Sequence, residues 1–300
     1  MIIVRFDGGL GNQMLQYASY LALQQRYPQT KIVADTRNFN IVNIHTGFEL
    51  ERLFPIELNI FFGKRSKTVN KIGRYWHFGI DRAYKFFYKA GFKKFKFIED
   101  NGTFNEELFN LNENVNYYLN GQWGNQKYFE NVKDSLHEHF VFKQPLDKIN
   151  LERKTEIESV NSVGVHIRRG DYVSGNSNFV ELSKSNYYPD AFEHISSHIS
   201  NSVFYIFSDD AAWCMNNLTW LKKYKHYFIT GNTGENSYKD MQLMSVCKHN
   251  IVANSTFSWW SAMLNKREER KTICPEKLFN NEVMNAKIIS EFYPDSWIKM

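Results

Sequence analysis

From residue 160 onward, short apolar runs alternate with stretches of helical periodicity. The apolar runs lie at residues 163–167, 203–207, 227–229, 250–253 and 271–275. The helical stretches between them lie at residues 190–199, 211–222, 237–247 and 255–264. Strands and helices that alternate in this way build a parallel sheet with helices on both faces. The pattern therefore predicts a doubly wound α/β domain in the second half of the chain.

The start of the chain predicts a second sheet of the same class. Residues 2–6 read as a strand, residues 7–12 as a glycine-rich turn, residues 13–26 as a helix and residues 31–35 as the next strand. A β-α-β start implies parallel strands. Because residues 148–159 are polar and charged, we expect a boundary near residue 155, with domains at 1–155 and 156–300.

Composition excludes several classes of protein. The 43% hydrophobic and 23% charged residues are ordinary for a globular chain, and the net charge of +5 favours anionic ligands only weakly. Cys214, Cys247 and Cys274 are too far apart in sequence for a disulfide framework or a cysteine zinc site. No secretory signal and no apolar stretch of the roughly 20 residues that span a bilayer is visible. We expect a cytoplasmic protein.

Residues 63–97 are rich in Lys and Arg, interleaved with aromatic residues, and are predicted to form a helical insertion with a basic face. The first interpretation is a solvated helix whose aromatic side chains pack inward. The alternative is peripheral contact with an anionic membrane, at its inner face. Nucleic-acid binding is not expected, because the segment resembles no nucleic-acid module.

The segment at residues 166–172, His-Ile-Arg-Arg-Gly-Asp-Tyr, follows a predicted buried strand. Ligands of open α/β sheets bind outside the carboxyl ends of the strands, and guanidinium groups fork onto phosphate oxygens. Arg168 and Arg169 therefore predict a phosphate site. The alternative is a structural strand end, in which the arginines pair with Asp171 and nearby acids.

Residues 8–13 form a glycine-rich strand-to-helix turn, and Asp35 ends the second strand. A dinucleotide site would use both features, but Met14 occupies the place of the third glycine of G-x-G-x-x-G. A purely structural turn is the other alternative. The pair Asp209 and Asp210 invites a metal interpretation, although an N-cap for the following helix is the favoured one.

Two further segments suggest ligand contacts. Residues 254–261 follow an apolar strand with hydroxyl residues and then Trp259 and Trp260, so a helix start there would form a second anion cradle with tryptophans as pocket walls. Asp240, on the preceding helix, would accept hydrogen bonds from a guanine edge, or it is a solvated helix acid.

Four segments together resemble the motifs of the α-1,2-fucosyltransferases, glycosyltransferase family 11. They are residues 8–14, 166–172, 240–244 and 254–260, and the resemblance covers nearly the whole chain. It implies a GT-B-like fold, with two Rossmann-like domains facing a central cleft. The first domain would hold a galactose-terminated glycan acceptor and the second GDP-fucose. The implied reaction is inverting transfer of L-fucose to the 2-hydroxyl of galactose, with no metal or other cofactor required.

The resemblance also implies roles for individual residues. Arg168, with Arg169 beside it, would bind the diphosphate. His166 would lie near the guanine or the pyrophosphate, and Asp240 on the guanine edge. The remaining matched positions fall into two groups, Ser255, Thr256 and Phe257 at the phosphates, and Gly11, Asn12 and Gln13 near the fucose and the acceptor.

The general base is not implied by the resemblance. Related enzymes use an acid shortly after this arginine motif, but residues 173–180 contain none. Asp171 is therefore our first candidate, with Arg168 and Asn12 as the other catalytic residues. The alternatives to this reaction are a fucosyltransferase of another linkage, a nucleotide-dependent Rossmann oxidoreductase and a non-catalytic glycan- or membrane-binding module. The sequence predicts no oligomeric state.

Overall fold

The computed structural model describes residues 1–40, 46–61, 82–83, 85–86, 88–91, 94–173 and 178–300. The chain divides into two compact units, Met1–Lys143 and Gln144–Met300. The division lies earlier than the boundary expected near residue 155. The reason is that the polar segment forms a helix, Lys148–Ser159, which packs against elements of the second unit.

The first unit contains a four-stranded parallel sheet. Its strands are β1 (Ile2–Arg5), β2 (Ile32–Asp35), β3 (Phe95–Glu99) and β4 (Asn116–Asn120). Their order in the sheet is β2-β1-β4-β3, and every pairing is parallel. The strand order reverses between β1 and β4. Ligands of open α/β sheets bind at such a switch point.

The helices that accompany this sheet include α1 (Leu10–Arg26), α2 (Leu50–Leu53) and α3 (Lys133–His139). Helix α1 begins at Leu10, earlier than the expected start at Gln13, so the glycine-rich motif supplies the first turn of the helix. Gly8 has φ +77°, and a Cβ atom there would lie 2.6 Å from Nδ2 of Asn12. A glycine is therefore required at this position, because the turn is both left-handed and closely covered.

The second unit contains a six-stranded parallel sheet. Its strands are β5 (Asn161–Ile167), β6 (Ser202–Ser208), β7 (His226–Ile229), β8 (His249–Ile251), β9 (Thr272–Cys274) and β10 (Ile298–Lys299). The order is β10-β9-β8-β5-β6-β7. This is the strand order of the dinucleotide-binding fold, with the switch point between β5 and β8. The predicted doubly wound sheet is confirmed.

The helices of the second unit cover both faces of this sheet. They are α4 (Lys148–Ser159), α5 (Tyr187–His198), α6 (Ala211–Asn217), α7 (Tyr238–Val246), α8 (Thr256–Met263) and α9 (Glu282–Phe292). Side chains of β5 and β6 pack into two buried apolar clusters, one against α5 and the other against α4 and α7. Because both faces are covered, these strands are apolar along most of their length.

The expected basic insertion at residues 63–97 lies largely outside the described residues. At its carboxyl end, residues 95–97 belong to strand β3, so the expectation of a helix is wrong there. They became a strand because Lys96 and Phe97 pair with Tyr117 and Tyr118 of β4, a partner the local sequence does not reveal. In the described part of the chain, no helix is long and apolar enough to cross a bilayer.

Candidate functional site

The switch point of the second sheet brings two of the sequence motifs together. Strands β5 and β8 are adjacent and parallel, so the segments that follow them begin at the same edge of the sheet. The Tyr172 hydroxyl, after β5, donates a hydrogen bond of 2.9 Å to the Asn254 carbonyl, after β8. The rings of His166 and Phe257 also lie 5.6 Å apart, centroid to centroid. The motifs at 166–172 and 254–260 therefore form one site.

Arg168 is the partly exposed arginine of this site. Its side chain is 26% exposed, and its terminal nitrogens form ion pairs with Asp209 (2.8 Å) and Asp171 (2.6 Å). A guanidinium carries five N–H donors. Within the described residues, the two ion pairs use only some of these five donors. Arg168 therefore has the charge, the exposure and the remaining donors that binding an anion requires.

Arg169 is buried, with only 7% of its side chain exposed. Its Nε donates to Asp210 (3.1 Å), and its Nη1 donates to Glu181 (2.9 Å) and to the Ser183 hydroxyl (2.8 Å). The guanidinium carbon also lies 3.3 Å from the centroid of the Trp213 ring. Protein groups thus surround this arginine. The geometry favours a positioning role for Arg169 over the direct ligand contact that we expected from the sequence.

Asp209 connects the two arginines. Its Oδ1 accepts a hydrogen bond from the Arg169 backbone N–H (2.9 Å), and its Oδ2 pairs with Arg168. Asp210 caps helix α6 by accepting from the Trp213 N–H (3.2 Å), so the favoured N-cap interpretation is confirmed. Among the described residues, no group of three or more His, Cys, Asp or Glu could hold a metal ion.

The ion pairs also show that the structural interpretation of this strand end is correct in part. Each arginine is flanked by two carboxylates, Asp171 and Asp209 around Arg168, and Asp210 and Glu181 around Arg169. The Asp171 side chain is 64% exposed and lies on the short turn Gly170–Val173. A phosphate that binds Arg168 would compete with this exposed carboxylate for the same guanidinium.

His166 is buried near the carboxyl end of β5, as the sixth residue of that strand. Burial, and secondarily the charge of Arg168, lowers the pKa of His166 to about 3. The imidazole is therefore neutral near pH 7. Its Nδ1 is buried and has no hydrogen-bond partner among the described residues. A neutral ring in this place can contact a ligand without adding positive charge.

The segment after β8 leads into helix α8. Ser255 is the N-cap, and its hydroxyl accepts from the Phe257 N–H at 3.4 Å. Ser255, Thr256 and Phe257 are half-buried, and the helix N-terminus they form favours negative charge. The interpretation of Trp259 and Trp260 as pocket walls is wrong. Both side chains are buried in the core, where Trp259 packs beside Phe292 and Trp297 of the same unit.

Asp240 lies in the first turn of α7, after strand β7. Burial raises the pKa of this carboxyl to about 7, although a hydrogen bond from Asn232 (2.8 Å) and the charge of Arg153 oppose the shift. A solvated surface acid would not be held in this way. The structure therefore favours a built site over the alternative of a solvated helix acid. Helix α7 packs against α8.

In the first unit, Gly11, Asn12 and Gln13 form the first turn of α1. The Gln13 side chain is fully buried. Its Nε2 donates to the carbonyls of Gly8 (3.0 Å) and Gly47 (2.9 Å), and its Oε1 accepts from the Glu49 N–H (2.9 Å). The amide is thus saturated by backbone groups. It fixes the turn, and the contact with fucose or acceptor expected for Gln13 gains no support from the geometry.

A polar cluster at the switch point of the first sheet was missed from the sequence. Oε1 of Gln16 accepts from the Asp7 N–H (3.1 Å), and Nε2 of Gln16 donates to Asp7 Oδ1 (3.2 Å) and to the Gly121 carbonyl (3.1 Å). Arg5 and Gln122 also contact the Asp7 carboxylate. Asp7 lies two residues after β1, and Gln122 lies two residues after β4, so their place after adjacent strands was the available signal.

The carboxylate of Asp35, which a dinucleotide site would use, already has protein partners. It is buried and pairs with Arg37, and the Tyr118 hydroxyl donates to its Oδ2 at 2.8 Å. The pKa of Asp35 is lowered, because these hydrogen bonds and the charge of Arg37 outweigh burial, which acts in the opposite direction. A ribose would have to displace these partners. This geometry does not favour the oxidoreductase alternative.

Comparison with known proteins decides the family. The sequence profile described as glycosyl transferase family 11 matches residues 1–300. The chain belongs to glycosyl transferase family 11. It is 34% identical to an Escherichia coli alpha-1,2-colitosyltransferase, over 100% of this chain and 99% of that protein. It is 33% identical to the Mus musculus galactoside 2-alpha-L-fucosyltransferase Sec1, over 34% of this chain and 28% of that protein. The predicted family is confirmed, and this family 11 chain is a glycosyltransferase.

A solved structure supports the fold. The structure of NodZ alpha-1,6-fucosyltransferase soaked with GDP-fucose superposes with a TM-score of 0.51 at 16% identity. The match covers 88% of this chain and 91% of that chain. Together with the two parallel α/β units, it confirms the predicted GT-B-like α/β fold class of this family 11 enzyme.

The raised pKa of Asp240 predicts a pH-dependent cost to stability. The folded state holds this proton up to about pH 7, whereas an unfolded Asp releases it near pH 3.8. The cost is therefore absent below pH 3.8, grows as the pH rises towards 7, and is complete above it, at roughly 4 kcal/mol. We expect Asp240→Asn to raise the free energy of unfolding at pH 8 and to leave it unchanged at pH 4, as measured by urea denaturation.

A matched control is Asp190→Asn, which removes an exposed acid from the first turn of helix α5. This variant should change stability by only a few tenths of a kcal/mol, and similarly at both pH values. Equal stability changes for the two variants at pH 8 would contradict the description of Asp240 as a desolvated acid.

The geometry of Gly170 predicts a turnover defect from one added methyl group. A Cβ atom at this position would lie 2.5 Å from Oδ2 of Asp209, the oxygen that pairs with Arg168. Asp209 must then move, and Arg168 loses the partner that orients it. We expect Gly170→Ala to lower kcat about 10- to 100-fold, with a circular dichroism spectrum like that of the parent protein. Asp209→Ala should show a similar loss, and normal turnover in that variant would contradict the account.

Proposed function

We propose that this enzyme transfers L-fucose from GDP-fucose to the 2-hydroxyl of a terminal galactose in a glycan, with inversion at the fucose anomeric carbon. The observation that carries the proposal is Arg168. It is a partly exposed arginine with unused donors, at the switch point of a Rossmann-ordered sheet, in a chain that belongs to family 11.

The second unit is the proposed donor site. Arg168 binds the diphosphate, and the N-terminus of α8, with Ser255, Thr256 and Phe257, binds the phosphate oxygens through backbone N–H groups. The neutral His166 lies against Phe257 and contacts the nucleotide without changing the charge of the site. Asp240 reads the guanine edge. Arg169, which we expected at the phosphates, acts by holding the strand end.

The first unit is the proposed acceptor side. Gly11 and Asn12, in the first turn of α1, lie beside the polar cluster around Asp7 at the switch point of that sheet. Amides and carboxylates in such a cluster suit sugar hydroxyls, which both donate and accept hydrogen bonds. Gln13 keeps the turn in place, and Asn12 remains a proposed catalytic residue.

The proposed chemistry needs charge stabilisation more than covalent catalysis. The bond between fucose C1 and the β-phosphate oxygen breaks, and its electron pair stays on GDP. The 2-oxygen of galactose forms the new bond to C1 from the opposite face and loses its proton. Arg168 stabilises the charge that develops on the β-phosphate, an effect that is worth about 3 kcal/mol for one positioned donor.

Asp171 is the proposed proton acceptor. Its carboxylate is exposed and pairs with Arg168, and a phosphate that binds Arg168 would release it for a second role. A general base must lie within hydrogen-bond reach of the proton it removes. The test is the pH–rate profile of Asp171→Asn. Loss of the acidic limb supports the role, and an unchanged limb removes Asp171 from it.

GDP-colitose should be tested as a second donor. A relative that matches this chain over nearly the whole length of both proteins is an alpha-1,2-colitosyltransferase. Colitose is fucose without its 3-hydroxyl group. A site that hydrogen-bonds the 3-hydroxyl of fucose would reject colitose strongly, because its polar groups would be left unpaired. The donor sugar is therefore decided by whether this hydroxyl has a partner in the protein, and GDP-colitose is the comparison substrate.

The first experiment incubates the purified protein with lactose and either GDP-fucose or GDP-colitose, in the presence of EDTA. GDP release is followed by a coupled assay, and the linkage of the product is determined by NMR. Acceptor-dependent release of GDP with fucose linked to the galactose 2-hydroxyl supports the donor, the linkage and independence from metal ions and other cofactors.

The other outcomes separate the alternatives. Preferential use of GDP-colitose moves the donor assignment to the deoxy sugar. A product linked at another hydroxyl overturns the linkage. Hydrolysis of GDP-fucose without transfer to lactose retains the donor and rejects lactose as the acceptor. Absence of GDP-fucose binding by calorimetry overturns the roles proposed for Arg168 and Asp240.

The contrast between the two arginines gives a further prediction. Arg168→Ala should lower kcat by about 100- to 1000-fold, with little loss of stability, because the side chain is partly exposed and one of its partners is solvated. Arg169→Ala should lower the free energy of unfolding by about 3–5 kcal/mol, because it leaves Asp210 without its cation and Glu181 with the exposed Lys184 in place of a buried partner. Urea denaturation and steady-state kinetics measure both effects. Near-normal turnover of Arg168→Ala would overturn the assignment.

A further inference from the structure

Two asparagine side chains form a closed amide pair between helix α4 and the loop that precedes α7. Nδ2 of Asn150 donates to Oδ1 of Asn232, and Nδ2 of Asn232 donates to Oδ1 of Asn150, both at 2.9 Å. Asn150 is buried, and Asn232 lies between strand β7 and helix α7. The pair therefore connects the start of α4 to the element that carries Asp240.

Each end of this pair is fixed to a carboxylate. Nδ2 of Asn232 also donates to Oδ1 of Asp240, at 2.8 Å. Nδ2 of Asn150 also donates to Oδ2 of Asp147, at 2.9 Å, and Lys239 holds that same oxygen at 2.7 Å. The hydrogen bond and charge of Lys239 contribute to the lowered pKa of Asp147. The result is a continuous chain from Asp147 through two amides to Asp240.

The chain leaves no freedom for either amide to rotate. Both N–H groups of each side chain have an acceptor, and the carbonyl oxygen of each accepts a hydrogen bond from the other. Exchanging the nitrogen and oxygen of either amide would place donors against donors. The Asn150 oxygen also accepts from Arg153, at 3.3 Å. Oδ1 of Asp240 is thus held at one position.

The second oxygen of Asp240 is not used by this chain. Within the described residues, Oδ2 of Asp240 has no hydrogen-bond partner, and it is not sealed from solvent. An oxygen that is fixed in direction, unpartnered and at the edge of a largely desolvated carboxyl is ready to accept a ligand donor. The hydrogen bond from Asn232 restrains the Asp240 carboxylate at Oδ1, and Asn150 in turn restrains Asn232.

We propose that Asn150 and Asn232 are positioning residues for purine selection, and that they hold the Asp240 carboxylate so that it accepts from both N–H groups of a 2-amino-6-oxopurine. This inference rests on the proposed donor site. A carboxylate binds two adjacent donors only when its plane coincides with that of the base edge. Guanine presents N1–H and the 2-amino group on this edge, hypoxanthine presents N1–H alone, and adenine presents no donor at N1.

The experiment compares GDP with inosine diphosphate, which lacks only the 2-amino group. Binding of both to the full-length protein is measured by calorimetry. Hydrogen bonds to charged groups contribute about 1.5–3 kcal/mol, so the parent protein should prefer GDP roughly 10- to 100-fold. Asn150→Ala and Asn232→Ala should reduce this preference to within a few-fold of unity, because the carboxylate can then rotate.

Two variants are used because Asn150 is buried and Asn232 lies in a loop, so the substitutions destabilise the fold to different extents. Asn150→Ala retains the backbone N–H that donates to Asp147, so the cap of helix α4 persists. Asn232→Ala changes a loop residue outside the core. The matched control is Asn161→Ala, at the start of β5 and therefore at the opposite edge of the sheet. There the side-chain amide donates to the Ser200 carbonyl and accepts from Lys248. Its preference for GDP should equal that of the parent protein.

Kinetics separate positioning from general damage. In both variants we expect a raised KM for GDP-fucose, with kcat at saturating donor within about threefold of the parent, since Arg168 is untouched. A parent protein that binds no GDP overturns the donor site itself. If the parent protein prefers GDP and the variants bind GDP and inosine diphosphate more weakly by the same factor, the donor site stands and the positioning role is overturned. Loss of the preference in the variants alone supports it.

Discussion

A guanidinium group that is taken out of water needs partners for its charge and for its donors, and the edge of the second sheet is organised around that need. Arg169 obtains them from three different segments, Asp210 after β6, Glu181 and Ser183 after the β5 turn, and the ring of Trp213 on α6. Removing one partner of such a buried set costs several kcal/mol. The set therefore fixes the positions of the segments that surround the site.

This constraint explains why two adjacent arginines differ so much. Successive side chains of an extended segment point to opposite sides, so the burial of Arg169 directs Arg168 outward. Asp209 then serves both residues, because one of its oxygens accepts the Arg169 backbone N–H and the other pairs with Arg168. A buried arginine thus orients an exposed one, and the exposed one is left with the charge and donors that a diphosphate requires.

The same unit contains a second desolvated group, Asp240, whose ionised form lowers the stability of the fold. Asp240 is stabilised by an amide rather than by a salt bridge, and its raised pKa means that the ionised form costs stability in the absence of a ligand. The desolvation of Arg169 is compensated by ion pairs with Asp210 and Glu181, whereas Asp240 has one oxygen left to accept hydrogen bonds from a ligand. Groups of the second kind are expected at functional sites, where stability is lower in exchange for binding.

The sequence by itself determined the parallel α/β class, the second sheet almost strand by strand, and the segments that meet at its edge, because apolar periodicity and residue type are local properties of the chain. It missed β3 and β4, whose residues are strands only because they pair with each other and with β1. It also expected Trp259 and Trp260 to line a pocket, and it gave no sign that Arg169 is buried or that backbone groups hold the Gln13 amide. Only the tertiary structure decided which arginine is buried, which amides are saturated and which acids share partners. These outcomes depend on contacts between residues far apart in the chain, such as Asn150 with Asn232 and Arg169 with Asp210, and no local pattern encodes them.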